Sequence, residues 1–352
     1  MATGLYSLED LLNYNKVSVI DFDEARVNQI IQNDLTAYNS VIADMTGSLM
    51  ITTTERVMTY GAGTRRRMKK LDEFGRVPTQ RTQRQGGTYG VPLELYGDGL
   101  GWTKDYLYQV TPADLANRVL EIQEADRMEM YSAASVALFN PTSYTFYDYF
   151  IDGAELNVKR LLNGDGQAIP QGPFGEQFNA ATHTHYLANA SLTAAKIDEA
   201  ISTVREHGHT GRIVIYINSA NQSAIEGLAE FAPAQNNLLI YGDGVTRAAI
   251  TLDNSRDDDR EIGVWRGQYI VSTKPWVPAN YLFAYDILGE KPLAMRIPAQ
   301  SQLQGLRLVA QFDVHPLRAD LYEHRFGVGV ASRSNGAVLQ FNNGTYTAPP
   351  VL

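Results

Sequence analysis

The sequence predicts an α+β fold, and three observations carry that prediction. An amphipathic run from Thr111 to Phe139 has the length and the end signals of one long helix. Residues 155–305 alternate strand-like and helix-like patterns. After Leu306 the chain returns to short strands alone. Helices and strands are thus partly segregated, which separates this arrangement from a regular βαβ repeat.

In chain order, residues 1–50 alternate short apolar and polar pieces. Asp23–Tyr38 reads as a helix because Val27, Ile30, Ile31 and Leu35 recur at helical spacing. This stretch holds too little apolar surface to bury a core of its own. Residues 51–105 have a different character. A β-rich entry, Met50–Tyr60, and an alternating exit, Thr88–Tyr96, flank a basic middle with few apolar residues. Such a pattern predicts a long hairpin that projects from the body. Two strands alone are marginal in water, so the hairpin calls for a neighbour.

The long helix follows. Thr111 is suited to its N-cap, Pro112 to its first position and Asp114 to the first turn, where the helix dipole favours an anion. Leu115, Val119, Ile122, Met130, Ala133 and Ala137 make the expected inner face. Glu121, Glu124, Asp126, Arg127 and Glu129 make the outer one, and Pro141 stops the helix. A tyrosine-rich strand spans Ser143–Ile151. Further on, Thr193 caps a helix to Arg205, with Gly208 at its exit. Arg212–Ile217 reads as a buried strand, Ala220–Phe231 as a second helix, and Tyr269–Val271 and Tyr281–Ala284 as strands. The tail gives strands at Leu306–Val314, Arg325–Ala331 and Ala337–Phe341.

Composition sets outer bounds. The 352 residues, 44% hydrophobic and 20% charged, suit a globular chain with a sizeable core. The absence of cysteine excludes disulfides, thiolate metal sites and cysteine nucleophiles. No stretch approaches the roughly 18–20 consecutive apolar residues of a membrane-spanning helix. Met1–Asp10 has neither the basic start nor the apolar run of a secretory signal, so the expected place of folding is the cytoplasm.

Charge is unevenly spread. From Glu55 to Arg84 nine basic residues face three acidic ones, a local excess of six; with −9 overall, the remainder carries −15. A basic segment on an acidic body fits either a polyanion site or self-association of unlike surfaces. The second is favoured. Arg65, Arg66, Arg67, Lys69, Lys70 and Arg76 are the candidate contacts on the hairpin, and Asp257, Asp258 and Asp259 the candidate acidic partner on the next copy. Aromatic interleaving, which a single-strand nucleic-acid platform needs, is missing between Tyr60 and Phe74.

Other motifs resolve to structural readings. His183/His185 and His207/His209 form two His-x-His pairs, a spacing some zinc sites use. But His183/His185 sit in a Thr/Asn/Ala-rich loop with no third ligand in view, and His207/His209 flank Gly208 at a helix end, where a cation simply complements the dipole. Asp253–Asp259 resembles a calcium loop only in part, since Asp258 and Val264 stand where glycine and glutamate are required. The glycine pairs Gly97/Gly99/Gly101, Gly164/Gly166 and Gly242/Gly244 suit turns and lack the setting of a nucleotide loop. No nucleophile elbow or P-loop occurs. The expectation is a chain without catalytic, cofactor-binding or metal-ligating residues.

The order of parts resembles the major capsid proteins of tailed bacteriophages, the Hong Kong 97-type capsid fold. The ending Leu321–Ser332, an acidic–basic step into an alternating strand, is similar to that family's terminal pattern. Trp265–Ser272, followed by Pro275, Pro278 and a strand, is similar as well. The resemblance implies an N-terminal arm (1–50) and an extended hairpin loop (51–105). It further implies a peripheral domain with a long spine helix (106–154 and 306–333) and an axial α/β domain (155–305 and 334–352). Some members carry a long cleaved scaffolding segment before the hairpin; only residues 1–50 precede it here, so a separate scaffold is expected. Some members cross-link a hairpin lysine to asparagine; Lys69 and Lys70 lie in the right region without a motif that assigns the bond.

The implied function is an icosahedral shell built from hexamers and pentamers around double-stranded DNA, located in the virion and assembled in the host cytoplasm. Implied partners are other copies of the chain, separate scaffold and portal proteins, possible decoration proteins and non-specifically contacted DNA. Rival readings are an encapsulin-type cargo compartment on the same fold and, from another class, a metal-dependent hydrolase using the His-x-His pairs.

Overall fold

The structure, a computed structural model, describes residues 7–63, 68, 70, 71, 73–75, 84–234 and 259–350. The chain opens with α1 (Leu8–Leu11), α2 (Val19–Phe22) and α3 (Glu24–Thr46). Helix α3 outruns the expected end at Tyr38 because Ile42 extends the apolar stripe into the core beside Leu49 and Met50. Strands β1 (Met50–Thr53), β2 (Val57–Gly63), β3 (Arg84–Gly90) and β4 (Glu94–Thr103) follow, then the short α4 (Lys104–Leu107). The expected single strand at 88–96 is in fact two. Pro92 lacks an N–H to donate and ends β3, so β3 stays in the hairpin while β4 joins a different sheet.

Helix α5 (Pro112–Phe139) begins as its sequence dictates. Thr111 Oγ1 accepts from Asp114 N–H, and the Asp114 carboxylate accepts from the Thr111 backbone and hydroxyl at 3.0 and 2.7 Å. The helix is roughly 42 Å long at ~1.5 Å per residue, enough to serve two cores. Its first half packs Leu115, Ala116, Val119 and Ile122 against Leu8, Leu11, Val27, Ile30, Ile31 and Leu35 of the opening helices. Its last turns carry Met130, Ala134, Leu138 and Phe139 into a second core. The opening helices thus bury most of their apolar side chains in one core shared with α5, packing on one another as well as on it.

Between the two cores lies a polar node. Asp126, expected on the outer face, is buried; its carboxylate meets His324 Nδ1 at 2.7 Å and accepts from Tyr38 Oη at 3.0 Å. The partners come from distant chain segments, which is why helical periodicity alone misplaces it.

A hairpin, β5 (Tyr144–Asp148) and β6 (Ala154–Val158), leads to the α/β part: β7 (Tyr186–Asn189), α6 (Ala194–Arg205), β8 (Ile213–Ile217), α7 (Gln222–Glu226) and β9 (Phe231–Pro233). Strands β10 (Arg260–Trp265), β11 (Tyr269–Thr273), β12 (Tyr281–Asp286) and β13 (Leu293–Arg296) come next. The expected helix over Ala220–Phe231 stops at Glu226. Phe231–Pro233 instead pairs with Gly263–Trp265, and Pro233 is accommodated because β9 is an edge strand.

Among the described residues seven strands form one sheet in the order β7-β16-β12-β8-β11-β10-β9, with β16 at Ala337–Phe341. Strand period sorts its two faces. Ile213, Ile215, Ile217, Leu282, Ala284 and Leu339 face Ile197, Ile201 and Val204 of α6. The alternate residues Val214, Tyr216, Phe283, Tyr285 and Val338 face the end of α5 and Trp276. Removing a side chain as central as Phe139 or Phe283 costs about 3–5 kcal/mol in such cores.

A second sheet of five strands is built on one long element. Strand β15 (Leu317–Val330) pairs with β14 (Arg307–Val314), with β4 and, near its end, with β13, which in turn carries β1. The strand expected at 325–331 therefore starts much earlier. Gly327 is required where β15 passes Pro92, because a Cβ there would strike the Pro92 backbone.

Candidate assembly surfaces and a histidine cluster

Strands β2 and β3 pair from Val57↔Gly90 to Gly63↔Arg84 and, among the described residues, belong to no larger sheet. Their base is tied to the body by aromatic hydroxyls. Tyr89 donates to the Ala331 carbonyl, and burial pushes its hydroxyl up to about 12, so it stays a donor. Tyr60 donates to Gln167 and lies across Gly87, where a Cβ would collide with its ring. Arg333 completes the anchor: it donates to Asp165 at 2.8 Å, to Gln167 at 2.9 Å and to the Arg160 carbonyl at 2.7 Å. A cleft of about 470 Å³ remains between hairpin and body, lined in part by Met58, Tyr60, Tyr89, Lys291 and Arg333.

Of the sequence-predicted contact residues, Arg65, Arg66, Arg67, Lys69, Arg76, Asp257 and Asp258 lie outside the described residues. Lys70 is exposed. Asp259 is engaged within the chain, since Lys274 Nζ donates to it at 2.5 Å. Arg56 at the start of the hairpin pairs with Asp152 at 2.7 Å. Both pairs are accessible to water and contribute little stability by themselves.

Sequence reasoning missed two apolar tips. The β5–β6 turn presents Tyr147, Tyr149, Phe150 and Ile151, with Tyr149 77% exposed. The β14–β15 turn presents Phe312, Val314 and Leu317, each more than half exposed. Alternation in these segments was legible, but which face finds no cover inside one chain is decided by packing. Grouped apolar exposure of this kind marks contact surfaces.

The histidines converge. A turn at Asn179–His183 and the entry to β7 bring in His183 and His185; the exit of α6, turned by Gly208 at φ +88°, brings in His207. Their Nε2 atoms lie 3.1 Å (His183–His185), 2.9 Å (His183–His207) and 3.0 Å (His185–His207) apart. Glu206 Oε1 sits 3.6 Å from His183 Nε2 and 3.9 Å from His207 Nε2. His185 is fully buried and His207 nearly so, and the Phe178 ring covers His183 and His207 with centroids at 4.9 and 4.3 Å. Burial favours the neutral imidazoles: it holds His183 and His185 below the usual range and takes His207 down to about 3. The same burial raises Glu206. The third ligand that the sequence lacks beside His183/His185 is thus supplied from another segment. Among the described residues this is the one group of three or more His, Asp or Glu side chains close enough to share an ion.

Over its whole length the chain is similar to a chain of Mycobacterium phage Patience, at 21% identity, covering 96% of that chain, with a TM-score of 0.66. It is also similar to the capsid of a native GTA particle (13% identity, 86% of this chain and 90% of that one, TM-score 0.46). A third similarity is to the holo-SrpI encapsulin complex from Synechococcus elongatus PCC 7942 (12% identity, 84% and 86%, TM-score 0.43). No protein-family model and no curated protein matches the sequence. Among the described residues no helix is long and apolar enough to cross a membrane.

Proposed function

We propose that this chain is a major capsid protein: copies join in hexamers and pentamers and close into an icosahedral shell around double-stranded DNA. The observation that carries the proposal is the agreement of fold with the Mycobacterium phage Patience chain from end to end. On this reading residues 1–50 are the arm and 51–105 the extended loop. Residues 106–154 with 306–333 are the peripheral domain, and α5 is its spine. Residues 155–305 with 334–352 are the axial domain, which makes the ring contacts. The role is structural rather than catalytic, and its place is the virion, after assembly in the host cytoplasm.

The anchored hairpin and the two apolar tips support a chain that is completed by its neighbours. An isolated hairpin lacks a core, and exposed aromatic turns lower the free energy only when another surface covers them. Arg65, Arg66, Arg67, Lys69, Lys70 and Arg76 are proposed to reach an acidic face of the next copy, with Asp257 and Asp258 as its candidate groups. Asp259 is the weaker candidate because Lys274 already holds it. Separate scaffold, portal and decoration proteins are proposed partners, and the DNA contact is non-specific.

The test is expression of the full chain, alone and with the products of adjacent genes, followed by negative-stain electron microscopy and light scattering. Closed shells or ring-shaped capsomers are expected. A chain that stays monomeric at high concentration in both settings sinks the proposal. Nuclease-protected DNA inside the shells is expected of a capsid, whereas a packaged enzyme marks a cargo compartment. Changing Arg65, Arg66 and Arg67 together to Glu is expected to reduce shell yield without lowering subunit Tm; normal yield removes the hairpin's electrostatic role.

A further inference from the structure

We propose that His183, His185, His207 and Glu206 form a structural site for one divalent transition-metal ion, best suited to Zn²⁺, that pins the end of α6 to the β7–β16 edge of the seven-stranded sheet. The first argument is proton bookkeeping. His185 Nδ1 lies 2.6 Å from the Gly336 carbonyl, which only accepts, so Nδ1 carries the proton and Nε2 presents a lone pair. Each imidazole Nε2 is either a donor or an acceptor in the ring plane. In a triangle of three such atoms at 2.9–3.1 Å, at least one contact must therefore join two donors or two acceptors. No assignment of protons satisfies all three contacts. A cation satisfies them together, because each nitrogen then offers it a lone pair.

The second argument is geometric. Corners of a triangle with sides of about 3.0 Å lie about 1.7 Å from its centre, so a point about 1 Å off the plane is ~2.0 Å from all three nitrogens, the Zn–N distance. Glu206 lies on the open side of the cluster and supplies an oxygen as the fourth ligand, within 4.8 Å of every other donor atom. Three nitrogens and one carboxylate make a four-ligand set, and structural zinc sites close at four. The His185 ring is fixed from behind by its bond to Gly336, as ligating histidines usually are.

The consequence is a cross-link in a chain that has no cysteine. It joins three stretches distant in sequence: 183–185, 206–207 and, through Gly336, the start of β16.

The test uses the purified full chain, stripped with a chelator, desalted and reloaded with ZnCl₂. Elemental analysis is expected to find one Zn²⁺ per chain. At free Zn²⁺ about a hundredfold above Kd, Tm is expected to rise by about 4 °C. His183→Ala changes the least buried of the three histidines; it is expected to match the wild type in chelator and to lose the Zn²⁺ response. Co²⁺ loading of the wild type gives a second readout, the intense visible absorption of a tetrahedral ion. Failure of the folded wild type to retain Zn²⁺, undiminished uptake by His183→Ala, or a Co²⁺ spectrum of octahedral type would each overturn the site.

Discussion

Single side chains join parts of this chain that are far apart in sequence. Arg296 Nη2 donates to Asp148 at 2.8 Å with both side chains essentially dry, and Arg296 Nη1 donates to the Val91 carbonyl at 3.0 Å. One guanidinium thus holds β13, the β5–β6 hairpin and the link between β3 and β4. Asp148 Oδ1 and Arg296 Nε find no hydrogen-bond partner among the described residues, so the pair is not fully satisfied. Such a pair is costly to break and cheap to replace. Asp148→Ala is expected to lose about 3–5 kcal/mol in urea unfolding of the subunit, because it strands a buried cation. Adding Arg296→Met should recover most of that loss, and a double variant no more stable than the single one would contradict this account.

At the scale of elements, α5 depends on its first turn. Thr111→Ala is expected to cost about 1 kcal/mol, read as a lower Tm. The same box predicts a pH response. The Thr111 hydroxyl and backbone N–H hold the Asp114 carboxyl below its ordinary value. A depressed carboxylate contributes stability above its unfolded pKa and loses it as pH falls through the folded one. The wild-type advantage over Thr111→Ala should therefore be largest at neutral pH and shrink in strong acid to the part supplied by the Asp114 N–H bond to Thr111 Oγ1; an advantage of the same size at both pH values is inconsistent with the ionised cap. Much of α5 was legible, because cap, proline stop and periodicity all lie within one segment. Asp126 was not, because its buried state depends on His324 and Tyr38, which arrive from elsewhere. The same holds for Phe231–Pro233, where pairing with β10 outweighs local helical preference.

For the whole molecule, the unpaired surfaces matter most. Tyr149 and Ile151 are 77% and 58% exposed, so they add little to the fold of one chain. Changing both to Ser is expected to leave subunit Tm within about 1 °C, since surface changes are usually worth under about 0.5 kcal/mol. Sedimentation or light scattering should nevertheless find fewer shells. Unchanged assembly would show that this tip faces solvent in the particle.

The sequence by itself determined the α+β class, the long capped helix, the isolated basic hairpin, the buried strand at the centre of the α/β part and the lack of cysteine. Each of these is written in local spacing, end signals or composition, and local physics suffices to read it. Only the tertiary structure decided how β15 gathers β14, β4 and β13, which apolar turns stay uncovered, and that His207 meets His183 and His185. Those outcomes depend on chain closure over long separations. Two residues at opposite ends of such a closure carry no mutual signal in the linear order, and their chemistry exists only once the backbone has brought them within reach.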